Sequence, residues 1–485
     1  MKKLSLTLII IVALMGAILI LRAATFTSRQ IRPALAANLN LNRQAALQRL
    51  AEAIQLPTVS FQSPSHAGAQ EFLRFHALLA KSFPGVHSQL TKETVNEYSL
   101  LYTWKGQNKG LKPILLMGHM DVVPVDPGSE KDWTHPPFAG NIAGGYIWGR
   151  GSIDDKVNVI GILEAVEHLL AQGFQPQRTV YLAFGHDEEI GGQQGAAKIA
   201  ALLGERDVQI EFVLDEGSAI TDGIIPGVAA PVAMIGIGEK GYLSLKLTVS
   251  SPGGHSSLPP AESAIGILSR AIDKIESTRF PGRINGAVKE FFDFVGPELS
   301  WDKKVLLANL WLTEPWLERE LAKSTLTDSM IRTTKATTIF HAGDKENVLP
   351  ARAQAVINFR LISGDTIEAV IARVRQVIDD ARVKITPLPD HTEPSPISSV
   401  DADGFKVLHR TVSQVAPQAI VAPFLTIAAT DTRHYAKLTK NIYRFVPITF
   451  RPDDPKRIHG VDERISIEDY ERCVRFYAQL IRNSQ

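Results

Sequence analysis

The residues best suited to chemistry lie in one stretch, from Gly118 to Lys156, which begins GHMDVVPV and ends GRGSIDDK. His119 and Asp121 follow the apolar run PILLM, so we expect them where a buried strand ends. Because residues two apart on a strand share a face, this imidazole and this carboxylate can lie side by side. A further acid, Asp154, follows a sharp turn with a glycine-flanked arginine. A histidine, a supporting carboxylate and a distant aspartate predict a metal site.

Three pairs of adjacent acids accompany this stretch. Taken singly, each pair is more simply interpreted as a solvated surface feature. Buried together they would repel each other unless positive charge lay between them. Three pairs at successive strand ends or turns, with His119 and a late histidine, His459, therefore favour one shared site. The pairs are Asp154–Asp155, Glu188–Glu189 and Asp215–Glu216.

The charges of these side chains would balance two divalent cations. Asp154, Glu189 and one acid of the third pair, with a bridging hydroxide, offset the charge of two such cations, and His119 and His459 complete the ligands. This arrangement is typical of a two-metal hydrolase. The single cysteine, Cys473, excludes an intramolecular disulfide and a thiolate-rich metal site.

The elements around these residues predict an α/β fold. Four strand-like runs alternate with two helical runs between residues 98 and 216. Such alternation is typical of a mostly parallel sheet flanked by helices. Ligands of these sheets collect at the carboxyl ends of the strands, and the acidic pairs and His119 are placed at such ends. The pattern alone therefore predicts that they meet.

The 485 residues are too many for one typical core, so we expect more than one domain. We predict a catalytic domain from residues 41–240 and 386–485. Between them, an alternating strand after Gly241, two antiparallel strands and amphipathic helices predict an inserted α+β lid or dimerisation domain, residues 241–385. The aromatic residues between Phe291 and Trp316 are expected to form the core of this insertion, with an acyl-chain groove as the alternative.

The chain begins with a segment that is not part of the predicted fold. Two lysines precede an uncharged run, Leu4 to Leu21, which is short for a membrane span and long for a signal-peptide core. Because Arg22-Ala23-Ala24 is a poor cleavage site, we predict that residues 1–24 are a membrane anchor, with a removed signal peptide as the alternative. Residues 25–40 would be a tether, and the body would lie outside the cytoplasm, or be secreted after cleavage. The net charge of +1 gives no case for a nucleic-acid partner.

A set of motifs follows in one order along residues 115–460. The motifs are GHMDVVPV, HPPF, GRGSIDDK, HDEEIGG, LDEG, PGGHSS, ENVLPA and RIHG. Each motif alone would mean little, but the set is specific. The set resembles the zinc-dependent aminoacylase and carboxypeptidase S family of metallopeptidases, and the similarity is greatest to the branch that holds carboxypeptidase S and the N-fatty-acyl-amino-acid synthase/hydrolase.

The resemblance implies two Zn²⁺ per subunit. His119 would bind one zinc, His459 would bind the other, and Asp154 would bridge them. Glu189 and the Asp215 position would complete the two ligand sets. LDEG offers two adjacent acids, Asp215 and Glu216, of which only one can point inward from a strand, and we predict Asp215.

The resemblance also implies roles in catalysis and substrate binding. Asp121 would hold the His119 ring in its metal-binding tautomer, and Glu188 would be the general base. His255 would stabilise the oxyanion, in a dimer at the partner's site, with a turn histidine as the alternative. Arg360 would grip a substrate carboxylate, with a strand-end salt bridge as the alternative. Asn347 would help to bind the reacting carbonyl or the carboxylate.

We therefore predict an amidohydrolase that cleaves N-acyl amino acids, or the C-terminal peptide bond of short peptides, with a metal-activated water. A homodimer through the lid is expected from the resemblance. The alternatives are a dipeptidase that recognises a free amine, and a membrane-anchored binding protein that has lost catalysis on the same fold.

Overall fold

The computed structural model describes residues 2–61 and 68–485. Met1, the first residue of the predicted anchor, and residues 62–67, within the first predicted catalytic segment, lie outside the described residues. The α-helices are α1 Lys2–Thr25, α2 Arg43–Ile54, α3 Ala69–Ser82, α4 Pro84–Gln89, α5 Lys156–Ala171, α6 Ala196–Glu205, α7 Ala264–Ser277, α8 Gly286–Val295, α9 Trp301–Ala308, α10 Leu310–Leu321, α11 Thr325–Ile331, α12 Ile367–Ile378, α13 Asp403–Val415 and α14 Ile467–Asn483.

The strands lie between and beyond these helices. They are β1 Thr91–Val95, β2 Ser99–Trp104, β3 Ile114–His119, β4 Asn141–Ala143, β5 Tyr146–Trp148, β6 Val180–Gly185, β7 Phe212–Asp215, β8 Ile220–Thr221, β9 Val232–Glu239, β10 Gly241–Ser250, β11 Gly254–His255, β12 Thr334–Ala342, β13 Val348–Leu349, β14 Arg352–Leu361, β15 Lys384–Pro387, β16 Ile420–Thr426, β17 Ile442–Arg444, β18 Thr449–Phe450 and β19 Arg464–Ser466.

Local signals in the sequence fix several helix ends. The side chains of Asn42, Ser263, Thr366 and Ser466 each accept a hydrogen bond from a backbone N–H in the first turn of α2, α7, α12 and α14. These bonds satisfy donors that a helix leaves unpaired at its start. Past α5, Gly173 has a φ of 70°, a conformation that glycine adopts without a Cβ clash.

The predicted α/β sheet is confirmed. The large sheet has ten strands in the order β1-β2-β6-β3-β7-β17-β9-β8-β18, with β16 paired to β9. The central pairs β6–β3, β3–β7 and β7–β17 are parallel, and β1, β2 and β8 add antiparallel pairs. Every residue of β3 is buried, because α5 covers one face of the sheet and α6 the other. The carboxyl ends of β3, β6 and β7 consequently lie side by side.

A second sheet, β12-β14-β10-β15, lies in the segment predicted as an insertion. Its strands are antiparallel, and α7 and α12 pack on it in a hydrophobic cluster separate from that of the large sheet. Strand β15 ends at Pro387, two residues beyond the expected boundary.

The middle of this segment differs from the expectation. Residues 284–331 hold α8 to α11, and their buried side chains belong to the cluster of the large sheet. Helix α8 lies against β16, and the ring centroids of Phe291 and Phe424 are 6.2 Å apart. The phenylalanines of this region, Phe291, Phe292 and Phe294, therefore do not form the core of a lid. They pack on the first sheet because α8 is strongly amphipathic, with its apolar face turned toward β16. The tryptophans of the region, Trp301, Trp311 and Trp316, are exposed.

Helix α1 and the segment after it are attached to the body. Residues Leu6–Thr25 are long and apolar enough to cross a membrane, and almost none of this span is buried. At its end, Arg22 Nε donates to the carbonyl of Ala308, 3.1 Å away. The predicted tether also contacts the body: the side-chain amide of Gln30 bonds both the N–H and the C=O of Val421 on β16, each at 2.9 Å.

Candidate metal centre

His119 ends β3 at the centre of the large sheet. It is 1% exposed, because β6 and β7 flank the strand. Its Nδ1 lies 3.0 Å from the carbonyl oxygen and 3.3 Å from a carboxylate oxygen of Asp121. Its Nε2 lies 2.9 Å from Oδ1 of Asp154. A ring that donates from Nδ1 to Asp121 presents a free Nε2 as ligand.

Asp121 also fixes a second part of the site. Its carboxylate accepts hydrogen bonds from the backbone N–H groups of Glu188 and Glu189, both at 3.1 Å, and from the Ser60 hydroxyl at 2.7 Å. These partners and His119 outweigh the effect of burial and lower the pKa of Asp121. Asp121 is thus an anionic support beneath His119 and beneath the turn that carries the second acidic pair.

Asp154 lies between the two histidines predicted as ligands. Its Oδ1 faces His119, and its Oδ2 lies 3.0 Å from Nε2 of His459. His459 Nε2 is also 3.2 Å from Glu189. A carboxylate with one oxygen toward each histidine has the arrangement that a bridging ligand needs.

Two residues that had no role assigned from the sequence hold Asp154 and His459 in place. Glu463 accepts hydrogen bonds from the N–H groups of Gly151, Ile153 and Asp154. It also forms an ion pair with Arg150 at 2.7 Å, and Arg150 donates to the backbone carbonyl of His459 at 3.0 Å. Glu463 is fully buried, so this network is shielded from water. The sequence signal for this network was Arg150 itself, the glycine-flanked arginine of GRGSIDDK.

The two acids of the Asp154–Asp155 pair act differently. Asp155 turns away from the histidines: its carboxylate accepts from the N–H of His119 at 3.1 Å and from the Asn158 amide at 2.6 Å. The peptide bond between the two aspartates is cis. Asp154 therefore faces the candidate site, whereas Asp155 bonds the backbone of β3.

The structure places the two acids of the third pair differently. Glu216, not the predicted Asp215, groups with His119 and Asp154: one ligand atom from each lies within 4.8 Å of the others. By strand alternation, Asp215, the last residue of β7, shares a face with Val213, whose cluster contains Tyr435, whereas Glu216 follows the strand. Asp215 consequently faces the side of Asp431 and Tyr435, whose pKa values it helps to raise.

A second group consists of Asp154, Glu189 and His459, again within 4.8 Å. Asp154 is shared by both groups, so the two candidate ion positions are adjacent.

The electrostatics of this cluster call for positive charge. Burial, together with neighbouring carboxylates, raises the pKa of Glu188 and Glu216 well above the usual range. Hydrogen bonds with Asp154 and Glu189 raise the pKa of His459 to about 10. Acids are thus driven toward the neutral form and an imidazole toward the cationic form.

The same residues fit divalent cations. Oε1 of Glu189 is buried and has no hydrogen-bond partner among the described residues, which leaves an oxygen for a cation. Imidazole nitrogens and carboxylate oxygens suit zinc and several other transition metals. The donor set therefore suits divalent cations, and Asp154 belongs to both candidate groups.

A cavity of about 300 Å³ opens beside these ligands. Its polar wall holds Asp154, Glu188, Glu189, Glu216 and His459. The other walls are mostly apolar and come from β9, β16, α11 and the loops after β7 and β18. Among the lining residues are Ile224, Met234, Leu326, Phe424, Ile427 and Ile458.

Arg360, a predicted substrate-binding residue, lies on β14 opposite Tyr242 of β10, with its guanidinium 4.7 Å from the ring centre. It takes part in none of the ion pairs found in residues 2–61 and 68–485, so the alternative of a strand-end salt bridge is wrong. Burial and the nearby Arg433 lower the pKa of Arg360. Arg433, whose segment had no assigned role, donates to the carbonyl of Gly191 at 2.7 Å, next to the Glu188–Glu189 turn.

His255 and Asn347 lie together away from the cavity. Both are exposed, on the short β11–β13 ribbon and its loop. The N–H of Ser256 donates to the Asn347 carbonyl, and His255 Nδ1 is 2.8 Å from the Ser257 hydroxyl. Neither side chain lines the cavity within this chain, so their predicted roles stay predictions.

Comparison with known proteins gives one consistent group of relatives. A sequence profile of peptidase family M20/M25/M40 matches residues 115–483. The chain is 45% identical to "Probable carboxypeptidase S-like 2" of Dictyostelium discoideum, over 96% of this chain and 91% of that protein. It is 42% identical to an N-fatty-acyl-amino acid synthase/hydrolase of Homo sapiens, over 91% and 88%. It is 32% identical to carboxypeptidase S of Saccharomyces cerevisiae, over 91% and 84%.

Solved structures share the fold at lower identity. The M20 family metallo-carboxypeptidase Sso-CP2 from Sulfolobus solfataricus matches with a TM-score of 0.65 and 20% identity, over 90% of this chain and 99% of that chain. Human carnosine dipeptidase 1 matches with a TM-score of 0.67 and 14% identity, over 92% and 97%.

Proposed function

Because the chain belongs to peptidase family M20/M25/M40, in the branch of carboxypeptidase S and the N-fatty-acyl-amino acid synthase/hydrolases, we propose that it hydrolyses N-acyl amino acids at a two-zinc site. The chain is a metal-dependent hydrolase by its family. The amide substrate, the zinc and the number of ions are our proposal.

The observation that carries the proposal is an apolar cavity whose one polar wall is the ligand cluster. His119, Asp154 and Glu216 would hold one ion, and Asp154, Glu189 and His459 the other. When bound, such ions polarise a carbonyl and lower the pKa of water.

Glu188 is the residue for proton transfer. It lines the cavity, it belongs to neither ligand group, and its backbone is held by Asp121. In amide hydrolysis a water proton must leave as the oxygen adds to the carbonyl carbon. A proton must then reach the nitrogen as the C–N bond breaks. A carboxylate oxygen of Glu188 would accept the first proton and return it to the leaving amine.

The carboxylate of the substrate would be bound by arginine. Arg360 is half-buried and has no carboxylate partner among the described residues, and Arg433 adds a second positive charge nearby. A planar guanidinium can bind a carboxylate through two hydrogen bonds. Asn347 and His255 would join from the exposed ribbon, through closure or from a partner subunit.

The apolar walls favour an acyl group over a free amine. An ammonium group in this cavity would need a carboxylate of its own, because an unpaired buried charge is costly. The four acids that line the cavity are Asp154, Glu188, Glu189 and Glu216, and each already has a role in the proposed site. This argues against the dipeptidase alternative. The filled ligand sets and the candidate base argue against a binding protein that has lost catalysis.

We further propose that α1 is a signal anchor and that the catalytic body lies outside the cytoplasm. The length and apolar character of Leu6–Thr25 support this.

The test is a panel of N-acyl amino acids, free dipeptides and N-acyl amino acid amides, assayed with and without a chelator. We expect hydrolysis of the N-acyl amino acids, loss of activity with chelator and recovery with Zn²⁺. Glu188→Gln should lower kcat by about 10²- to 10⁴-fold, the usual contribution of a general base, while two metal ions stay bound.

The N-acyl amino acid amides test whether arginine binds the carboxylate of the substrate. Arg360→Met should reduce the preference for the free carboxylate over the amide, and Arg352→Met, an exposed arginine on the same strand, is the matched control. Full activity of Glu188→Gln, or purification without metal, would overturn the mechanism. Cleavage of dipeptides alone would favour the dipeptidase.

A further inference from the structure

A second cavity, of about 470 Å³, lies beneath the helices next to α1. It is lined mainly by apolar side chains of α8 to α11 and of the loop after β8. Among the lining residues are Ile225, Phe291, Leu306, Trp316, Leu317 and Thr327. Its size is that of a pocket for a small molecule, and its apolar lining suits a hydrocarbon chain.

This cavity and the cavity at the metal centre lie back to back. Ile225 lines the second cavity and its neighbour Ile224 lines the first. On α11, Thr327 lines the second cavity and its neighbour Leu326 lines the first. Between the two cavities, the ring of Phe291 packs against the ring of Phe424. A thin apolar wall therefore separates the second cavity from the catalytic acids.

If α1 spans a membrane, as proposed above, its attachment places this region at the membrane surface. The Asn309 amide, between α9 and α10, donates to the carbonyl of Leu19 at 3.1 Å. Leu19 is six residues before Thr25, the end of the span, which is about 9 Å along a helix axis. Helices that lie in a bilayer interface bury their apolar face by about 5–10 Å. The start of α10 is thus held at interfacial depth.

The exposed face of α10 has the composition of an interfacial helix. Trp311, Leu312, Pro315 and Trp316 are all exposed, and their spacing puts them on one side of the helix. The tryptophans are 54% and 47% exposed, which is unusual for side chains of this size on a surface that meets water alone. Tryptophan is enriched where membrane meets water. Trp316 also lines the second cavity, so the cavity opens on this face.

We propose that the α9–α10 face docks into the bilayer that α1 spans, and that the second cavity takes up the fatty-acyl chain of an N-acyl amino acid directly from the membrane. The chain would enter beside Trp316, and the Phe291 and Phe424 rings would have to move apart for its amide to reach the metal centre. This inference rests on the proposed N-acyl amino acid hydrolysis and on the proposed anchor, and adds to them a place for the acyl chain and its uptake from the membrane.

The acyl-chain site is tested in the full chain in phosphatidylcholine vesicles, with the N-palmitoyl and N-acetyl derivatives of one amino acid. Leu306→Trp and, separately, Leu317→Trp fill the cavity from α9 and from α10. Each should lower kcat/KM for the N-palmitoyl substrate by about tenfold or more and leave the N-acetyl substrate unchanged, because overpacking excludes the long chain. Leu73→Trp, at an exposed leucine of α3, is the control.

Docking of the α9–α10 face is tested by measuring whether a dye attached to α10 enters the bilayer. Cys473 is buried and is the single cysteine of the sequence, so a cysteine introduced at an exposed position is the one that is labelled. A polarity-sensitive dye on Leu312→Cys should be quenched by nitroxide-labelled phosphatidylcholine, and the same dye on Leu73→Cys should not. These leucines are similarly exposed, at 48% and 55%.

Three results would overturn the inference: unchanged N-palmitoyl hydrolysis in both cavity variants, equal losses on both substrates, or equal quenching at the two labels. Failure of the proposed function looks different. In that case the unmodified chain would hydrolyse neither substrate, and the acyl-chain site would fall with it, while the quenching would still decide whether α9–α10 docks.

Discussion

At the scale of single residues, the two acids at the end of β7 have different surroundings. Glu216 lies with His119 and Asp154, whereas Asp215 is turned toward Asp431. Burial raises the pKa of Asp215 to about 6, so this carboxyl is a poorly solvated neighbour of the site.

A pair of variants separates these roles. We expect Glu216→Gln to weaken the binding of one metal ion by about a hundredfold or more, because it removes an anionic ligand, whereas Asp215→Asn keeps both ions. Metal content after dialysis and competition with a chromogenic chelator measure this. Loss of an ion from Asp215→Asn with both ions retained in Glu216→Gln would show that Asp215, the residue predicted from the sequence, is the ligand.

The sequence could not decide between these acids. Alternation states that neighbours on a strand face opposite sides, but not which side faces the site. That depends on what covers each face, and so on residues remote in sequence, such as Val213 and Tyr435, joining one hydrophobic cluster. His119, in contrast, was predictable because a buried strand ends at that residue.

At the scale of elements, the site depends on a link between two turns. The turn that carries Asp154 and the loop that carries His459 are joined by Glu463 and Arg150. Sequence reasoning predicted Asp154 and His459 as ligands through their residue types. It missed the link, because acceptance of backbone N–H groups leaves no motif in a single sequence.

We predict that Glu463→Gln loosens both candidate ion positions together. Supporting residues of this kind contribute about 10- to 100-fold to metal affinity, and loss of one partner of a buried ion pair costs about 3–5 kcal/mol of folding free energy. Chelator competition and urea unfolding are the measurements.

Glu468→Gln is the control for this prediction. Its carboxylate is 83% exposed in its pair with Arg472, and such surface pairs contribute about 0–1 kcal/mol. Wild-type metal affinity and stability in Glu463→Gln would show that the turns are held by other contacts.

At the scale of the whole molecule, the distribution of residues between the two sheets was only partly predictable. The change of pattern at Gly241 marked the second sheet. The helices from residue 284 to 331 were assigned to the same unit, because they follow it in the chain. In the structure they return to the large sheet, since the apolar face of α8 is complementary to β16.

The exposed position of His255 leads to a prediction about assembly. If His255 completes the site of a partner subunit, a mixture of Glu188→Gln and His255→Ala proteins should regain activity, because a mixed dimer holds one intact site. Random pairing would restore about a quarter of the wild-type activity. Activity of the mixed proteins after co-refolding, compared with each variant alone, is the measurement. No recovery would mean that His255 reaches the site of its own chain or does not contribute.

The bonds between Gln30 and Val421 have a consequence for the handling of this protein. Strand β16 pairs with β9 on one side, and its outer side would be an open edge able to pair with another chain. The Gln30 amide occupies the N–H and C=O of Val421 as a strand partner would, and Pro423, two residues on, offers no N–H. A soluble fragment that begins after residue 40 would uncover this edge and tend to aggregate. A fragment that removes α1 but retains Gln30 would keep the edge covered.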